Sequence, residues 1–571
     1  MRCGSPLSSL SALLSLALSL AAPTTQAQIN LRASVSTTGL EADHFSFRAA
    51  ISTDGRWVAF HSRAENLVVG DTNGEDDVFV HDLYAGVTSR VSLSAGGAQG
   101  DGDSREPAIS ADGRFVTFRS NATNLVPSDN NGTWDIFIRD RDLDGNGVFD
   151  EIGGSRTLRV SVDSSGIEAD GSSYSSSVSA DGRFVAFDSA ATNLDGADPN
   201  VLDDVFVRDR QSGTTVRVSV SSAGDPADNG GDWPSISADG RWVAFDSLAN
   251  NLVAGDTNLK SDVFVHDLQT GDTVRVSVDS NGVQGNNTSH LFDTHHAISG
   301  NGRFVVFSSS ATNFAASDAN NTFDVFVHDR DTDQDGVFDE PGAIATIHAS
   351  RNASDEGGNG QSEHANISDD GRAVVFDSVS DNLVPGDTGN RDVFLRDLVA
   401  RTIRLVSLNT TGGPADGAST DPTVADGGRI TAFHSAATDH VSGDTNGRED
   451  IFARGPAAAL CLDSRGVDPE LDVYREPVQG CPQAIGAERD YIRGQVSDLI
   501  EGDAVIFLGL VRCADDGMAT TEQVLPQQDL DLAPHQVRFY LWRLTGEESF
   551  GDANAAGGFP LQRVAFEIPC P

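Results

Sequence analysis

The stretch SADGRFVAFDSAATNL, from Ser179 to Leu194, recurs along the chain with few changes. STDGRWVAFHSRAENL starts at Ser52, SADGRFVTFRSNATNL at Ser110 and SADGRWVAFDSLANNL at Ser237. The arginine of the motif falls at Arg56, Arg114, Arg183, Arg241, Arg303, Arg372 and Arg429, at intervals of 58, 69, 58, 62, 69 and 57 residues. A unit of this length cannot bury a core alone, so the copies must stack on one another, and the period decides the fold.

Each unit reads as four short strands. A run such as PSIS enters an Asp-Gly turn, whose residues tolerate the backbone angles of a tight hairpin. RFVAFDS, DVFVHDL and TVRVSV follow, rich in β-branched and aromatic residues, with no helical periodicity between them. Four strands per repeat describe a propeller blade. The last copy, DIFARG (Asp450 to Gly455), lacks its TVRVSV partner, and that strand stands instead near the N-terminus as INLRASVST (Ile29 to Thr37). Joining the two ends gives seven complete blades and removes the open sheet edges. The expected fold is an all-β, seven-bladed propeller over residues 28–455, closed by an N-terminal strand.

The pattern PSISADGRWVAFDS…DVFVHDL…TVRVSV resembles the TolB-like, WD-repeat-like propeller repeats of bacterial exported proteins, over about residues 29–455. Two features depart from that family. TolB-like propellers usually have six blades, and the N-terminal domain of TolB has no counterpart here, so the Tol-system role does not transfer.

Residues 1–27 read as a signal peptide, with Arg2, an apolar run from Leu10 to Ala22 too short to span a bilayer, and cleavage after Ala27. Export to the periplasm or beyond follows, with no membrane span. Residues 456–571 read as a separate small β domain, from YIRGQVSDL, AVIFLGLVRC and HQVRFYLWRL. It resembles modules appended to other exported repeat proteins. Its four cysteines, Cys461, Cys481, Cys513 and Cys570, are even in number and lack a C-x-x-C pair, which predicts two disulfides of open connectivity.

With 85 acids against 39 bases the formal charge is −46, and Lys260 is the only lysine. Such a field repels nucleic acid and anionic lipid and attracts cations or basic partners, while also keeping an exported protein soluble.

The two 69-residue intervals carry matching insertions, DRDLDGNGVFDE (Asp140 to Glu151) and DRDTDQDGVFDE (Asp329 to Glu340). Oxygen-bearing residues at alternate loop positions around a glycine turn converge on calcium. The expected ligands are Asp142, Asp144, Asn146 and Asp150 in the first loop, and Asp331, Asp333, Asp335 and Asp339 in the second. Both loops resemble the calcium loops of thrombospondin type-3 and dockerin repeats, and a solvated acidic hairpin tip is the alternative. A second series, Asp71, Asn73 and Asp77 in blade 1 with equivalents in the other blades (one residue shorter in the sixth), offers three side-chain ligands per blade; Asx-turns that cap the next strand explain it, with calcium as the lesser alternative.

Four positions before the serine that precedes each Asp-Gly turn, or its equivalent, stand Arg48, Glu106, Ser175, Trp233, His295, His364 and Asp421. Inner strands line the channel of a propeller, so these seven ring one channel mouth. They vary from copy to copy while the turn and core positions barely change, which marks a surface for a partner or drift at an exposed site. There is no G-x-S-x-G, H-E-x-x-H or phosphate loop. The leading expectation is an exported, non-catalytic propeller that binds a protein or glycan through this mouth. A structural surface protein is the second expectation. A glycan lyase or hydrolase is the third, with Glu106, Asp421, His295 and His364 as its acid–base groups.

Overall fold

The computed structural model describes residues 28–456, except 152, 197–201, 293, 295, 317 and 319, and beyond them the strands Asp472–Val473, Ile492–Arg493, Gln536–Leu544 and Leu561–Pro569. Blade 1 is an antiparallel sheet of Ser46–Ile51, Trp57–Ser62, Asp77–Asp82 and Val87–Arg90, in that order outward. Blades 2 to 6 repeat it over residues 104–159, 173–217, 232–275, 289–348 and 362–405. Blade 7 takes Ser419–Val424, Thr431–Ser435 and Asp450–Pro456 from the end of the ring and its outer strand, Gln28–Arg32, from the beginning. Gln28 pairs with Pro456 and Arg32 with Phe452. The expected closure by an N-terminal strand is therefore present, with seven four-stranded blades among the described residues.

Both faces of each blade pack on neighbours, which explains why the middle strands read as near-continuous apolar runs. Within blades 1 to 6 a phenylalanine of the second strand stacks on one of the third, as in Phe60 on Phe79 at 5.8 Å between centroids. Between blades the core is continuous: Ile51, Phe60 and Phe79 share one buried cluster with Ile430, Ala432 and Ile451 of blade 7.

The arginine of the repeated motif staples the blade's lower end. Arg56 donates to both oxygens of Asp82, which ends the third strand, with Nη2–Oδ2 at 2.8 Å. The same pair recurs as Arg114–Asp140, Arg183–Asp209, Arg241–Asp267, Arg303–Asp329 and Arg372–Asp397.

One expectation for the C-terminal region is corrected. No disulfide bond exists among the described residues, and Cys461, Cys481, Cys513 and Cys570 lie outside them, as do residues 1–27. What joins the described strands there is backbone pairing: Gln536–Leu544 with Leu561–Pro569, and Asp472–Val473 with Ile492–Arg493.

Candidate functional site at the channel mouth

Strand register sets which residues share an end of the ring. Inner strands begin beside the ends of second strands, as Ser46 opposite Ser62 shows, and Asp-Gly turns close the other end. Between Phe47 and Ala50 the register shifts, and the same bulge recurs in the inner strands of blades 2, 3, 4, 6 and 7. An extra residue in a bulge is turned out of the ladder and re-aimed.

The expected mouth residues sit at these bulges. Arg48, Glu106, Trp233, His364 and Asp421 adopt left-handed backbone, with φ of 57°, 51°, 52°, 50° and 48°. Each costs roughly 1 kcal/mol or more relative to ordinary backbone, and such strain gathers at functional sites. Ser175 lacks the left-handed φ, and its N–H donates to Asp188 Oδ1 at 2.6 Å. His295 lies outside the described residues. Blade 5 departs from the others here. Its paired serines Ser289 and Ser309 are 20 residues apart, against 16 for Ser46 and Ser62, so the inner strand carries a four-residue excursion (20 − 16). Phe292, half exposed, projects from that excursion.

A second ring lies directly against the first and was not singled out from the sequence. It is the penultimate residue of each second strand: His61, Arg119, Asp188, Asp246, Ser308, Asp377 and His434. The signal was present, since these positions also vary among otherwise matching copies.

The two rings divide the mouth into sectors. Across blades 6, 7 and 1 they form one charged network. His364 Nδ1 is 2.7 Å from Asp377 Oδ2 and 3.4 Å from Asp421 Oδ1. Asp421 Oδ2 lies 3.4 Å from His434 Nδ1 and 3.5 Å from Arg48 Nη1, and Arg391 caps Asp377 Oδ1 at 2.5 Å. Burial, aided by neighbouring arginines, holds His61 well below the ordinary histidine range, and burial also lowers His434. In blade 2, Glu106 pairs with Arg119 at 2.8 Å.

Blades 3 to 5 differ, because carboxylates and aromatic rings meet there. Trp233, Phe292, His290, Asp232, Asp246 and Ser261 line a cleft of about 260 Å³. Trp233 and Phe292 meet edge to face at 5.0 Å. Asp232 stands opposite Asp246 in the strand pair. Burial, then the Asp232 charge, pushes Asp246 up to about 7, and burial with Asp203 and Asp204 pushes Asp232 up to about 6. Asp188 is raised well above the carboxylate range by burial, then by Asp232. His290 is lowered to about 4 by burial. Of the residues expected to do acid–base work, His364 and Asp421 are brought together and Glu106 stands apart with its arginine.

The acidic insertions lie at the opposite end of the ring, between third and fourth strands beside the Asp-Gly turns. Each is anchored by a fully buried arginine. Arg141 Nη2 pairs with Asp150 at 2.7 Å, Arg330 Nη2 pairs with Asp339 at 2.6 Å, and their Nη1 groups donate to Gly113 and Gly302 carbonyls. Arg141 lies between Trp57 and Phe149, and Arg330 between Trp242 and Phe338. The two copies with Trp in GRWVAF are thus those preceding an insertion-bearing blade. Asp150 and Asp339 thus each pair with a buried arginine. Asp331 accepts from the N–H groups of Asp335 and Gly336, each at 3.2 Å, and Asp142 from those of Asn146 and Gly147.

Among the described residues, three groups bring acids or histidines close enough to hold a metal ion: Asp331, Asp333 and Asp335; His364, Asp377 and Asp421; and Asp129, Asp135 and Glu168. In the last the Arg159 guanidinium already contacts all three carboxylates. Only the first lacks an arginine on its acids.

No family model and no curated protein sequence matches the chain. Solved structures do match. A TolB homologue described as putative, from Agrobacterium tumefaciens, is 16% identical over 53% of this chain and 80% of its own, with a TM-score of 0.30. The β-propeller domain of the Trilobed protease from Pyrococcus furiosus is 12% identical over 72% and 95%, with a TM-score of 0.40. Oligogalacturonate lyase from Vibrio parahaemolyticus is 9% identical over 76% and 97%, with a TM-score of 0.41. These structures are named as a TolB, a protease domain and a lyase, and none of them places the chain in a family, TolB included. The fold itself rests on the blade topology. Among the described residues no helix is long and apolar enough to cross a membrane.

Proposed function

We propose that this chain is an exported propeller that binds a glycan of the cell envelope or surroundings at the channel mouth, over blades 4 and 5. The observation that carries the reading is the Trp233–Phe292 pair set against Asp232 and Asp246 in one cleft. Aromatic rings offer a rigid apolar surface for the face of a sugar, and a few convergent polar groups fix its hydroxyls. The left-handed backbone at Trp233 supports this, because the indole is held toward the mouth at a cost the fold must offset. Calcium fits as a stiffener of the far end, held by Asp331, Asp333 and Asp335, and less completely by Asp142, Asp144 and Asn146. Residues 456–571 would then be a separate module, and the periplasm or the exterior the place of action.

The test is capture of envelope glycans by the immobilised chain, with Trp233→Ala beside it. Loss of at least tenfold in retained glycan is expected for the variant. Equal capture by both, or none by either, would sink the reading. One observation favours a second reading, a glycan hydrolase: two carboxyl groups with raised pKa values face each other in the same cleft. New reducing ends formed by the wild type and not by Asp246→Asn would make it the better one.

A further inference from the structure

At the outer edge of the mouth-side face, most blades repeat one construction, two aspartates sharing an arginine. In blade 1, Arg90 Nη1 lies 3.0 Å from Asp71 and 3.1 Å from Asp77. Arg159 bridges Asp129 and Asp135, Arg275 bridges Asp256 and Asp262, and Arg32 bridges Asp444 and Asp450. Blade 3 keeps the arginine as Arg217, 2.9 Å from Asp204. The guanidinium neutralises two acids that burial would otherwise make costly.

Blade 5 keeps both aspartates, Asp318 and Asp324, but has His348 in the arginine's place. The imidazole stacks on Phe326 at 5.0 Å, just as Arg32, Arg159 and Arg217 lie over the equivalent phenylalanines. It is shorter than arginine. Its Nε2 reaches Ser350 Oγ at 3.1 Å and Asp324 Oδ1 at 3.3 Å, and forms no ion pair with Asp318. Both oxygens of Asp318 and Oδ2 of Asp324 are buried without a hydrogen-bond partner. Asp318 is 9% exposed and Asp324 fully buried. In blade 6 Leu405 takes the arginine's position beside Asp387 and Asp392, but Asp387 is only partly buried there.

We propose that a divalent, oxygen-preferring cation occupies the position of the missing guanidinium in blade 5, ligated by the carboxylates of Asp318 and Asp324, with His348 at its rim. The internal copies provide the comparison, since in blades 1, 2, 4 and 7 the same two carboxylates are bridged by an arginine. Two carboxylates and remaining water positions suit calcium, magnesium or manganese.

The decisive variant is His348→Arg, which restores the construction of the other blades. Manganese bound per chain is counted by electron paramagnetic resonance of the free ion at pH 7.5, on wild type, His348→Arg and Asp318→Asn. The wild type is expected to bind one more ion than either variant, the acidic insertion being common to all three. In chelator, His348→Arg is expected to melt several degrees above wild type, and added manganese or calcium to close that gap. Equal ion counts in wild type and His348→Arg would overturn the proposal and leave water beside Asp318 as the occupant. Asp318→Asn keeps the test valid if the arginine variant does not fold.

Discussion

Gly113 in the Asp-Gly turn of blade 2 rests on the indole of Trp57 in blade 1, so closely that a β-carbon there would lie 2.2 Å from Trp57 Cδ1. Its φ is +77°. The same contact recurs as Gly182 on Phe115, Gly240 on Phe184, Gly302 on Trp242 and Gly371 on Phe304, and Gly55 on Ile430 closes the ring. The Asp-Gly turn is thus a blade-to-blade joint as well as a hairpin.

Gly113→Ala should therefore cost more than its backbone angle alone. Gly97 is the control, with φ of +79° and nothing within 4 Å of an added β-carbon. Alanine at Gly97 should cost about 1 kcal/mol, and at Gly113 about 3 kcal/mol or more, because a rigid indole must move. Denaturant midpoints of the two variants check this, and equal shifts would refute the joint.

The repeat, the blade count and the closing strand were legible because each is written in residues that barely vary. Asp-Gly must make the turn, and alternating apolar residues must face two neighbouring blades. The mouth was legible only in part. Variation among copies located Arg48, His364 and Asp421, but the ring of His61, Asp246, Asp377 and His434 varies just as much and was hidden inside a strand motif read as core. Phe292 was hidden because the four-residue excursion of blade 5 displaces it from alignment with the other copies. The acidic insertions hid one pairing each. Spacing counts oxygens, and it does not reveal that Arg141 and Arg330 fold back to claim Asp150 and Asp339.

Those two arginines should hold their loops. Arg330 is fully buried, and its guanidinium joins Asp339, the Gly302 carbonyl and two aromatic rings. Arg330→Lys loses the two-pronged contact and should destabilise by about 1–3 kcal/mol, since lysine cannot reproduce the planar fork. Limited proteolysis should then cut within residues 331–340 faster than in wild type, while the homologous loop at 142–151 keeps its rate.

Asp246 gives a pH dependence with a definite sign. Its carboxyl titrates near 7 in the folded chain and near 4 when unfolded, so the folded state holds the extra proton between these values. Its contribution to stability is complete below about pH 4 and is lost as pH rises through 7. Asp246→Asn removes the charge that burial opposes. The variant should melt above wild type at pH 8, by an amount corresponding to about 2–4 kcal/mol, with the difference vanishing near pH 4. A constant difference across that range would assign the raised titration to another group.

The acidic insertions can be tested separately because each lies beside a tryptophan. Trp242 is 5.2 Å from Phe338 in the second loop, and Trp57 is 5.0 Å from Phe149 in the first. A terbium ion in either loop would sit close enough to accept energy from its own indole. The second loop brings three carboxylates together, Asp331, Asp333 and Asp335. In the first, Asn146 replaces one of them and donates its amide to Asp144 and Glu151, at 3.1 and 2.7 Å. Removing one negative ligand weakens a calcium site, because affinity follows ligand charge. Excitation of tryptophan should therefore give terbium emission that Asp333→Asn lowers most, with Asp144→Asn having the smaller effect. Calcium should displace the ion, and emission unaltered by either substitution would leave both insertions as solvated acidic tips.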